Sequence, residues 1–237
     1  MSVALRDFAW NMPVFLACLF CTWLAVAQDS STPGRTFAAT EGSTKPYQHP
    51  PLNSAGALSG KALVQALQGG GFVLYMRHTE TGKVTPQCTE SNLTARGERD
   101  ARFVGDSIRS LKIPVTFIAS SPVCRVMDTA KRLSLGEFET TGDLSNVPVA
   151  PINDVGMARS QRIATPPQRG GNTLLVGHMQ GGKDTHNWIN LDFGEIIVYR
   201  PAAAGTQAIA RIRADDWYDL MDIGGITGKN GNTERQK

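Results

Sequence analysis

Residues 74–81 read LYMRHTET and place an arginine and a histidine directly behind a run of apolar residues. The apolar run, FVLYM over 72–76, does not alternate with polar residues. Such a run is typical of a strand that is covered on both faces. His78 is one of only four histidines in the chain. Because a histidine at a strand end is often an ordinary surface residue, its role depends on what the other strand ends carry.

Further apolar runs predict the remaining strands of a sheet. They are VTFIAS (115–120), TLLVG (173–177), EIIVYRP (195–201) and, as an edge strand, AIARIRA (208–214). The second of these runs is also followed by a histidine, His178.

Helical patterns lie between the apolar runs. A short helix within 57–71 ends in glycines, Thr94 can cap a second helix, and a third begins near Pro122, where proline is tolerated in the first turn. We expect a loop at 79–92 and irregular chain with little helix at 141–171. Strands that alternate with helices predict the α/β class, as a three-layer α/β/α sandwich with a mostly parallel central sheet.

The N-terminal residues predict export. The apolar run FLACLFCTWLAVA (15–27) ends in the small-residue pattern Ala25-Val26-Ala27. This predicts a signal peptide over 1–27 and a periplasmic or secreted mature protein. The alternative is an uncleaved membrane anchor, since the apolar stretch approaches the roughly 20 residues that a membrane span requires.

Composition divides the rest of the chain into three parts. These are a flexible leader rich in Ser, Thr, Pro and Gly (28–58), one domain (59–225) and a disordered tail (226–237). The net charge is only +3, with no cluster of Lys and Arg. We therefore expect no nucleic-acid partner and no membrane contact after signal cleavage, although the charge suits anionic ligands.

The cysteines suggest a disulfide rather than a metal site. Cys18 and Cys21 would leave with the signal peptide, so the mature protein would keep Cys88 and Cys124. Two cysteines in an oxidising compartment are a candidate pair. After the predicted signal peptide, which itself contains the pair Cys18 and Cys21, no CxxC or HExxH pattern occurs. We therefore expect no metal ion and no other cofactor.

Polar residues follow three of the predicted strands. They are RHTET (77–81), SSPVCR (120–125) and GHMQGG (177–182). Ligands of open α/β sheets bind outside the carboxyl ends of the strands. If these strands are neighbours, two arginines and two histidines converge there. Guanidinium groups match phosphate oxygens, and a helix N-terminus adds backbone N–H groups, so the pattern predicts a site for a phosphoryl dianion.

Four motifs together resemble one protein family. In order they are LYMRHTET (74–81), LTARGERDA (93–101), SSPVCRVMDTA (120–130) and LLVGH (174–178). They resemble the motifs of the histidine phosphatase superfamily, the phosphoglycerate-mutase-like group with an Arg-His-Gly motif. The resemblance spans about residues 70–200 and implies a catalytic domain of that fold at 59–225. More loosely, the chain resembles the exported branch that contains lipopolysaccharide-core phosphatases.

The resemblance implies a role for each matching residue. His78 would be the nucleophile that forms a phosphohistidine, and its side chain would be exposed at the strand end. Arg77 and Arg125 would bind the phosphoryl oxygens, and His178 would donate a further hydrogen bond to them. Thr81 would offer a hydroxyl to the phosphate. A neutral imidazole is nucleophilic without a metal ion, so none is needed.

The general acid that protonates the leaving group is less defined. The resemblance places it within 149–159, where Asp154 is the only carboxylate. The alternative for Asp154 is a residue that caps a loop or helix. Glu80 is a second candidate for the acid, and Glu195 is expected to be structural or at the rim of the site.

The resemblance also places the two remaining cysteines beside the same pocket. Cys88 would lie in the segment after the nucleophile, and Cys124 directly precedes Arg125. We therefore predict a disulfide between them; the alternative is two separately buried thiols.

The expected activity is that of an exported, metal-independent phosphomonoesterase. Its substrate would be a small phosphorylated molecule, such as a phosphosugar of the cell envelope. The alternative is a phosphate-binding or phosphosugar-binding module that has lost turnover. That alternative is motivated by the undefined acid and by Thr79, which stands where the family has glycine. A mutase is not expected, because its metabolite substrates are cytosolic.

Overall fold

The computed structural model describes residues 56–85, 88–146, 154–184, 187–201 and 206–225. The chain divides into a unit from Met1 to Gln48 and a unit from His49 to Lys237, and every described residue belongs to the second. The predicted signal peptide, most of the predicted leader and the predicted tail lie outside the described residues. Within these ranges, no helix is both long and apolar enough to cross a membrane.

A six-stranded sheet and two hairpins contain the strands of the described residues. In chain order they are β1 (Val73–Arg77), β2 (Thr81–Thr85), β3 (Cys88–Leu93), β4 (Val115–Ser120), β5 (Glu139–Thr140), β6 (Asn172–Gly177), β7 (Gln180–Asp184), β8 (Asn187–Asn190), β9 (Ile196–Arg200) and β10 (Gln207–Ile212). The six-stranded sheet has the order β10-β9-β1-β6-β4-β5. Strands β1, β6, β4 and β5 run parallel, and β9 is antiparallel to both of its neighbours. The sheet is mostly parallel, with β10 at an edge, as predicted.

Helices and hairpins cover both faces of this sheet. The helices are α1 (Gly60–Gly69), α2 (Ala95–Ser110), α3 (Cys124–Leu133), α4 (Val155–Ala164) and α5 (Asp216–Ile223). Side chains of α1, α2, α3 and α5 pack on one face with Leu74 and Met76. Ile163 of α4 and Ile189 of β8 pack on the other face with Tyr75. Because β1 is covered on both faces, its sequence is apolar without alternation, and the three-layer fold is confirmed.

The register of β1 and β6 places their ends together. Arg77 pairs with Gly177, so the next residue of each strand, His78 and His178, lies at the same edge of the sheet. Strand β4 pairs with the other side of β6, with Ser120 beside Val176. The three polar segments predicted to converge therefore leave the sheet at one place.

The start of α2 is as predicted. Thr94 caps the helix, and its hydroxyl oxygen accepts a hydrogen bond from the backbone N–H of Gly97 at 3.0 Å. A Cβ atom at Gly97 would collide with the backbone oxygen of Glu80. Gly97, in the motif LTARGERDA (93–101), thus lets the helix lie directly against the segment that follows His78.

Two predictions about irregular chain were wrong. The expected loop at 79–92 contains the hairpin β2–β3, and 141–171 contains α4. β2 is largely exposed, so no buried face produced an alternating pattern. In α4 the fully buried residues are Arg159 and Ile163. One apolar residue on the inner face is too little to give a helical period.

Candidate active site

Four predicted residues meet at the carboxyl ends of β1 and β6. Arg125, from the first turn of α3, directs its Nε at Nε2 of His78 over 3.3 Å. Its Nη2 lies 3.4 Å from Nδ1 of His178. The two imidazole rings meet edge to face with centroids 5.7 Å apart. Arg125 therefore bridges both histidines, and Arg77 ends the strand that carries the first of them.

The two ring nitrogens of His78 have different partners, Thr79 for Nδ1 and Arg125 for Nε2. Nδ1 lies 2.9 Å from the backbone oxygen of Thr79. Because a carbonyl oxygen only accepts, Nδ1 carries the proton and Nε2 keeps its lone pair. Burial, opposed by the hydrogen bond to Thr79 and reinforced by Arg125 and Arg77, lowers the pKa of His78 to about 4. His78 is therefore neutral at pH 7, with its lone pair on Nε2, where it accepts the hydrogen bond from Nε of Arg125.

The side chain of His78 is buried, not exposed as predicted. It is 5% exposed, because the 191–195 turn and α3 lie against it. A buried imidazole favours its neutral form, since burial disfavours charge.

His178 is held through its other nitrogen. Its Nε2 lies 3.1 Å from the hydroxyl of Ser121. A guanidinium only donates, so Nδ1 of His178, which faces Arg125, carries no proton. Burial first, then the neighbouring His78, Arg125, Arg159 and Arg77, lowers the pKa of His178 to about 3. His178 is also neutral, and it donates its one N–H to Ser121.

Arg77 is held so that one donor is unused. Its Nη1 donates to the backbone oxygen of Leu191 at 2.8 Å, and its guanidinium lies 3.9 Å above the ring centre of Phe193. Its Nε is buried without a hydrogen-bond partner among the described residues. Burial lowers the pKa of Arg77, with Asp192 acting in the opposite direction. A buried donor without an acceptor is costly, so this N–H favours an incoming anionic oxygen.

Tyr75 supports the second histidine from within the sheet. Its hydroxyl accepts a hydrogen bond from the backbone N–H of His178 at 3.1 Å and donates to the backbone oxygen of His178 at 3.4 Å. Burial raises the pKa of this phenol. A Cβ atom at Gly177 would collide with the Tyr75 hydroxyl. The residue before His178 therefore has no room for a side chain.

Helix α3 supports the segment of the first histidine. Thr129 accepts a hydrogen bond from the backbone N–H of Thr79 at 3.2 Å and donates to the backbone oxygen of Arg125 at 2.8 Å. The Thr79 side chain is fully buried, with its hydroxyl 3.4 Å from that of Thr129. Thr79, which stands where the family has glycine, is thus accommodated by contact with Thr129 of the motif SSPVCRVMDTA (120–130).

Arg159 is a cation of the site that the sequence did not reveal. It is buried, and it donates to the backbone oxygens of Gln180 at 2.6 Å and Ser145 at 2.8 Å. Its charge lowers the pKa of His178. It lies in α4, which was predicted as irregular chain, so no pattern placed it beside the histidines.

The predicted disulfide between Cys88 and Cys124 is confirmed. The two Cα atoms are 6.2 Å apart, within the range that disulfides adopt. The bond ties the hairpin β2–β3 to the first turn of α3, one residue before Arg125.

The candidate acids have other contacts. Asp154 is exposed at the N-cap of α4, where its carboxylate accepts from the backbone N–H of Met157 at 2.9 Å. Glu80 accepts from the Thr94 hydroxyl at 2.7 Å. Neither carboxylate hydrogen-bonds to either histidine within the described residues, and the same holds for the half-buried Thr81. The role of Asp154 as the acid stays a prediction.

Glu195 is structural, as expected. Its carboxylate is 1% exposed and pairs with Arg211 at 2.7 Å. The same carboxylate accepts from the backbone N–H of Asp192 at 2.7 Å.

A separate cavity of about 580 Å³ lies away from the histidines. It is lined by residues of α4 and the first halves of β4 and β6, among them Phe117, Ala158 and Thr173. Its lining arginine, Arg162, is ion-paired with Asp143 at 2.5 Å. Because that cation is already paired, we assign the phosphate to the histidine cluster instead. Among the described residues, no three His, Cys, Asp or Glu side chains are grouped as a metal site requires.

Comparison with known families fits this geometry. Residues 73–147 match the sequence model of the histidine phosphatase superfamily, branch 1. The predicted resemblance to this superfamily is confirmed over these residues. The matched segment holds Arg77, His78 and Arg125, and His178 follows beyond it. The match to this superfamily supports a phosphatase.

Several solved structures are similar over most of the domain. The protein histidine phosphatase SixA, complexed with tungstate, is 15% identical, with a TM-score of 0.47, over 61% of this chain and 98% of that chain. A mutant phosphoserine phosphatase from Entamoeba histolytica, in complex with phosphoserine, is 15% identical, with a TM-score of 0.41, over 61% and 98%. At these identities neither structure indicates a substrate for this chain. No curated protein sequence matches the chain.

Proposed function

We propose that this chain is a phosphomonoesterase that acts through a phosphohistidine at Nε2 of His78 and requires no metal ion. One observation carries the proposal. His78 is neutral, its Nδ1 proton is held by the Thr79 carbonyl, and its Nε2 lone pair faces Arg125. A neutral imidazole fixed in this way is ready to attack phosphorus without activation by a metal.

The arginines supply the binding charge. The unused Nε of Arg77 takes one phosphoryl oxygen, and Arg125 turns its donors from the histidines to the other oxygens. Positive charge that is already in place stabilises the transition state of phosphoryl transfer. Thr81, at the start of β2, is proposed to offer its hydroxyl to the same group.

The reaction then proceeds in two displacements. The lone pair of Nε2 attacks phosphorus, the bond to the ester oxygen breaks, and that oxygen leaves with the electron pair. A proton from a carboxylic acid, for which Asp154 is the first candidate and Glu80 the second, neutralises the leaving alkoxide. Water attacks the phosphohistidine in the second step and gives a proton to the carboxylate that served as the acid. The bond between Nε2 and phosphorus breaks, which releases inorganic phosphate and restores the neutral imidazole.

His178 has a different part in this scheme. When Arg125 turns to the phosphate, Nδ1 of His178 faces a dianion instead of a cation. A nearby negative charge raises the pKa of an imidazole. His178 then takes up a proton at Nδ1 and donates a charge-assisted hydrogen bond to a phosphoryl oxygen.

Export and a substrate from the cell envelope belong to the same proposal. The N-terminal pattern supports export, and the disulfide Cys88–Cys124 suits an oxidising compartment. The looser resemblance to envelope phosphatases is the support for a phosphosugar.

The proposal is tested by hydrolysis of p-nitrophenyl phosphate by the purified chain, with and without a chelator. We expect phosphate release that survives chelation. Loss of activity on chelation that returns with added metal would contradict the metal-independent mechanism. Tight phosphate binding without turnover at any pH would instead show the binding module that the sequence left open.

A further inference from the structure

An aromatic side chain lies exposed beside the two residues that would bind and attack the phosphate. Phe193 is 41% exposed, in the turn between β8 and β9. Its ring centre lies 5.5 Å from that of His78, and the guanidinium of Arg77 covers it at 3.9 Å. A phosphate held by Arg77 and His78 therefore lies next to this ring.

The turn that carries Phe193 is firmly attached to the site. The backbone N–H of Gly194 donates to the backbone oxygen of His78 at 3.2 Å, and Arg77 donates to the oxygen of Leu191 at 2.8 Å. Glu195, at the end of the turn, is ion-paired with Arg211. The backbone on either side of Phe193 is thus held against the site by hydrogen bonds to Arg77 and His78.

A second exposed apolar side chain lies on the adjacent segment. Met179 directly follows His178 and is 49% exposed. Its backbone oxygen accepts a hydrogen bond from the N–H of Leu191 at 2.9 Å. The segments of Met179 and Phe193 therefore run side by side at the edge of the site.

We propose that Phe193, together with Met179, binds the organic group of the substrate and that this group is apolar, best of all aromatic. The inference rests on the proposed phosphatase function, and for the substrate it replaces the phosphosugar suggested by the looser resemblance with a phosphate ester of an apolar alcohol. An apolar group that covers both side chains removes their apolar surface from water, which is favourable. A sugar brings hydroxyl groups that remain hydrated, so it gains less from the same contact. In the proposed function, the donors of Arg77, Arg125 and His178 bind the phosphate, which leaves the apolar pair to recognise the organic group.

Two substrates with similar chemistry at the ester oxygen test this preference. Benzyl phosphate and glucose 6-phosphate are both esters of primary alcohols, so a difference in kcat/KM reports recognition of the organic group. We expect kcat/KM to be about 10-fold or more higher for benzyl phosphate, the range that apolar recognition provides. Equal values would overturn the proposal, because they would show no preference for an apolar group. A higher value for glucose 6-phosphate would overturn it in favour of a phosphosugar.

Variants at Phe193 separate recognition from support of Arg77. Phe193→Ser should reduce the ratio of the two kcat/KM values by about 10-fold, and Phe193→Leu, which keeps apolar bulk, should reduce it less. Ile223→Ser is the matched control, because Ile223 is similarly exposed at 47% but lies at the end of α5. Equal losses on both substrates in Phe193→Ser would mean that Phe193 only positions Arg77.

Binding of unreactive phosphonates keeps the two proposals separable. If the chain hydrolyses neither ester, the proposed phosphatase function fails, and calorimetry still tests the subsite. Tighter binding of benzylphosphonate than of methylphosphonate, lost in Phe193→Ser but kept in Ile223→Ser, would support it. Equal affinity for the two phosphonates would overturn it.

Discussion

The ends of β1 and β6 carry two histidines in equivalent places, yet the chain holds them in opposite ways. His78 is bound through Nδ1 to its own backbone, at the carbonyl of Thr79. His178 is bound through Nε2 to Ser121, a residue of another strand end. Both are buried and neutral, with pKa values lowered to about 4 and about 3. Equal burial therefore does not give equal chemistry, because the tether decides which nitrogen is available.

The difference assigns the two roles. The tether of His78 is a carbonyl that can only accept, so it keeps the lone pair on Nε2 in every neutral state. His178 is bound to the hydroxyl of Ser121, which can donate as well as accept a hydrogen bond. The protonation state of His178 can therefore change when Arg125 turns from it to the phosphate. One histidine is thus prepared to attack, and the other to respond to charge.

The largest expected effect is the loss of the nucleophile. His78→Ala should lower kcat by about 10⁴-fold or more, since the covalent route disappears. Rapid quenching with radiolabelled substrate should trap acid-labile phosphate on the wild type and none on this variant. Normal turnover, or trapped phosphate, in His78→Ala would reverse the assignment of the two histidines.

Removing His178 should lower kcat less than removing His78. His178→Ala should lower kcat by about 10²- to 10³-fold, the usual cost of one transition-state hydrogen bond. It should still form the trapped phosphoenzyme, which makes it the matched control for the first variant. A loss equal to that of His78→Ala, with no trapped phosphate, would break the distinction between the strand ends.

The next effect concerns the leaving group, which neither histidine protonates in the proposed mechanism. Asp154→Asn should slow alkyl phosphates by about 100-fold and aryl phosphates less, because phenolate needs less help from an acid. Asparagine is as good a helix N-cap as aspartate, so the thermal stability should not change. Equal losses on both substrate types, or none, would leave Asp154 as a cap for α4 alone.

The smallest expected effect is on stability. The pKa of each histidine is lowered in the folded protein, so the unfolded chain binds more protons below about pH 6.5. The free energy of unfolding is therefore highest above that pH and falls as the pH drops towards the folded values. Between about pH 7 and pH 4.5, the free energy of unfolding of His178→Ala should therefore fall by about 2 kcal/mol less than that of the wild type. Urea denaturation at the two pH values measures both. An identical pH dependence in variant and wild type would show that the pKa of His178 is not lowered in the folded protein.

The sequence predicted the residues that follow buried strands better than those that support them. His78, His178 and Arg125 stand out because polar residues interrupt apolar runs or begin a helix at a strand end. The hydroxyl of Tyr75 gave no signal, since a tyrosine in an apolar run resembles any other core residue. Phe193 lies in a turn without period, and Arg159 lies in a helix with only one buried apolar side chain, so neither could be placed without coordinates.

The close approach of Tyr75 to Gly177 has a consequence for how this protein can diverge. Any side chain at position 177 would occupy the space of the phenol, and any shortening of residue 75 would leave the backbone of His178 without its hydrogen bonds. The two positions are therefore expected to covary among homologues, with glycine retained wherever tyrosine is present. In a library that varies positions 75 and 177, active clones should likewise carry tyrosine together with glycine. Selection for His178 would then also constrain two residues that lie outside the proposed phosphate contacts.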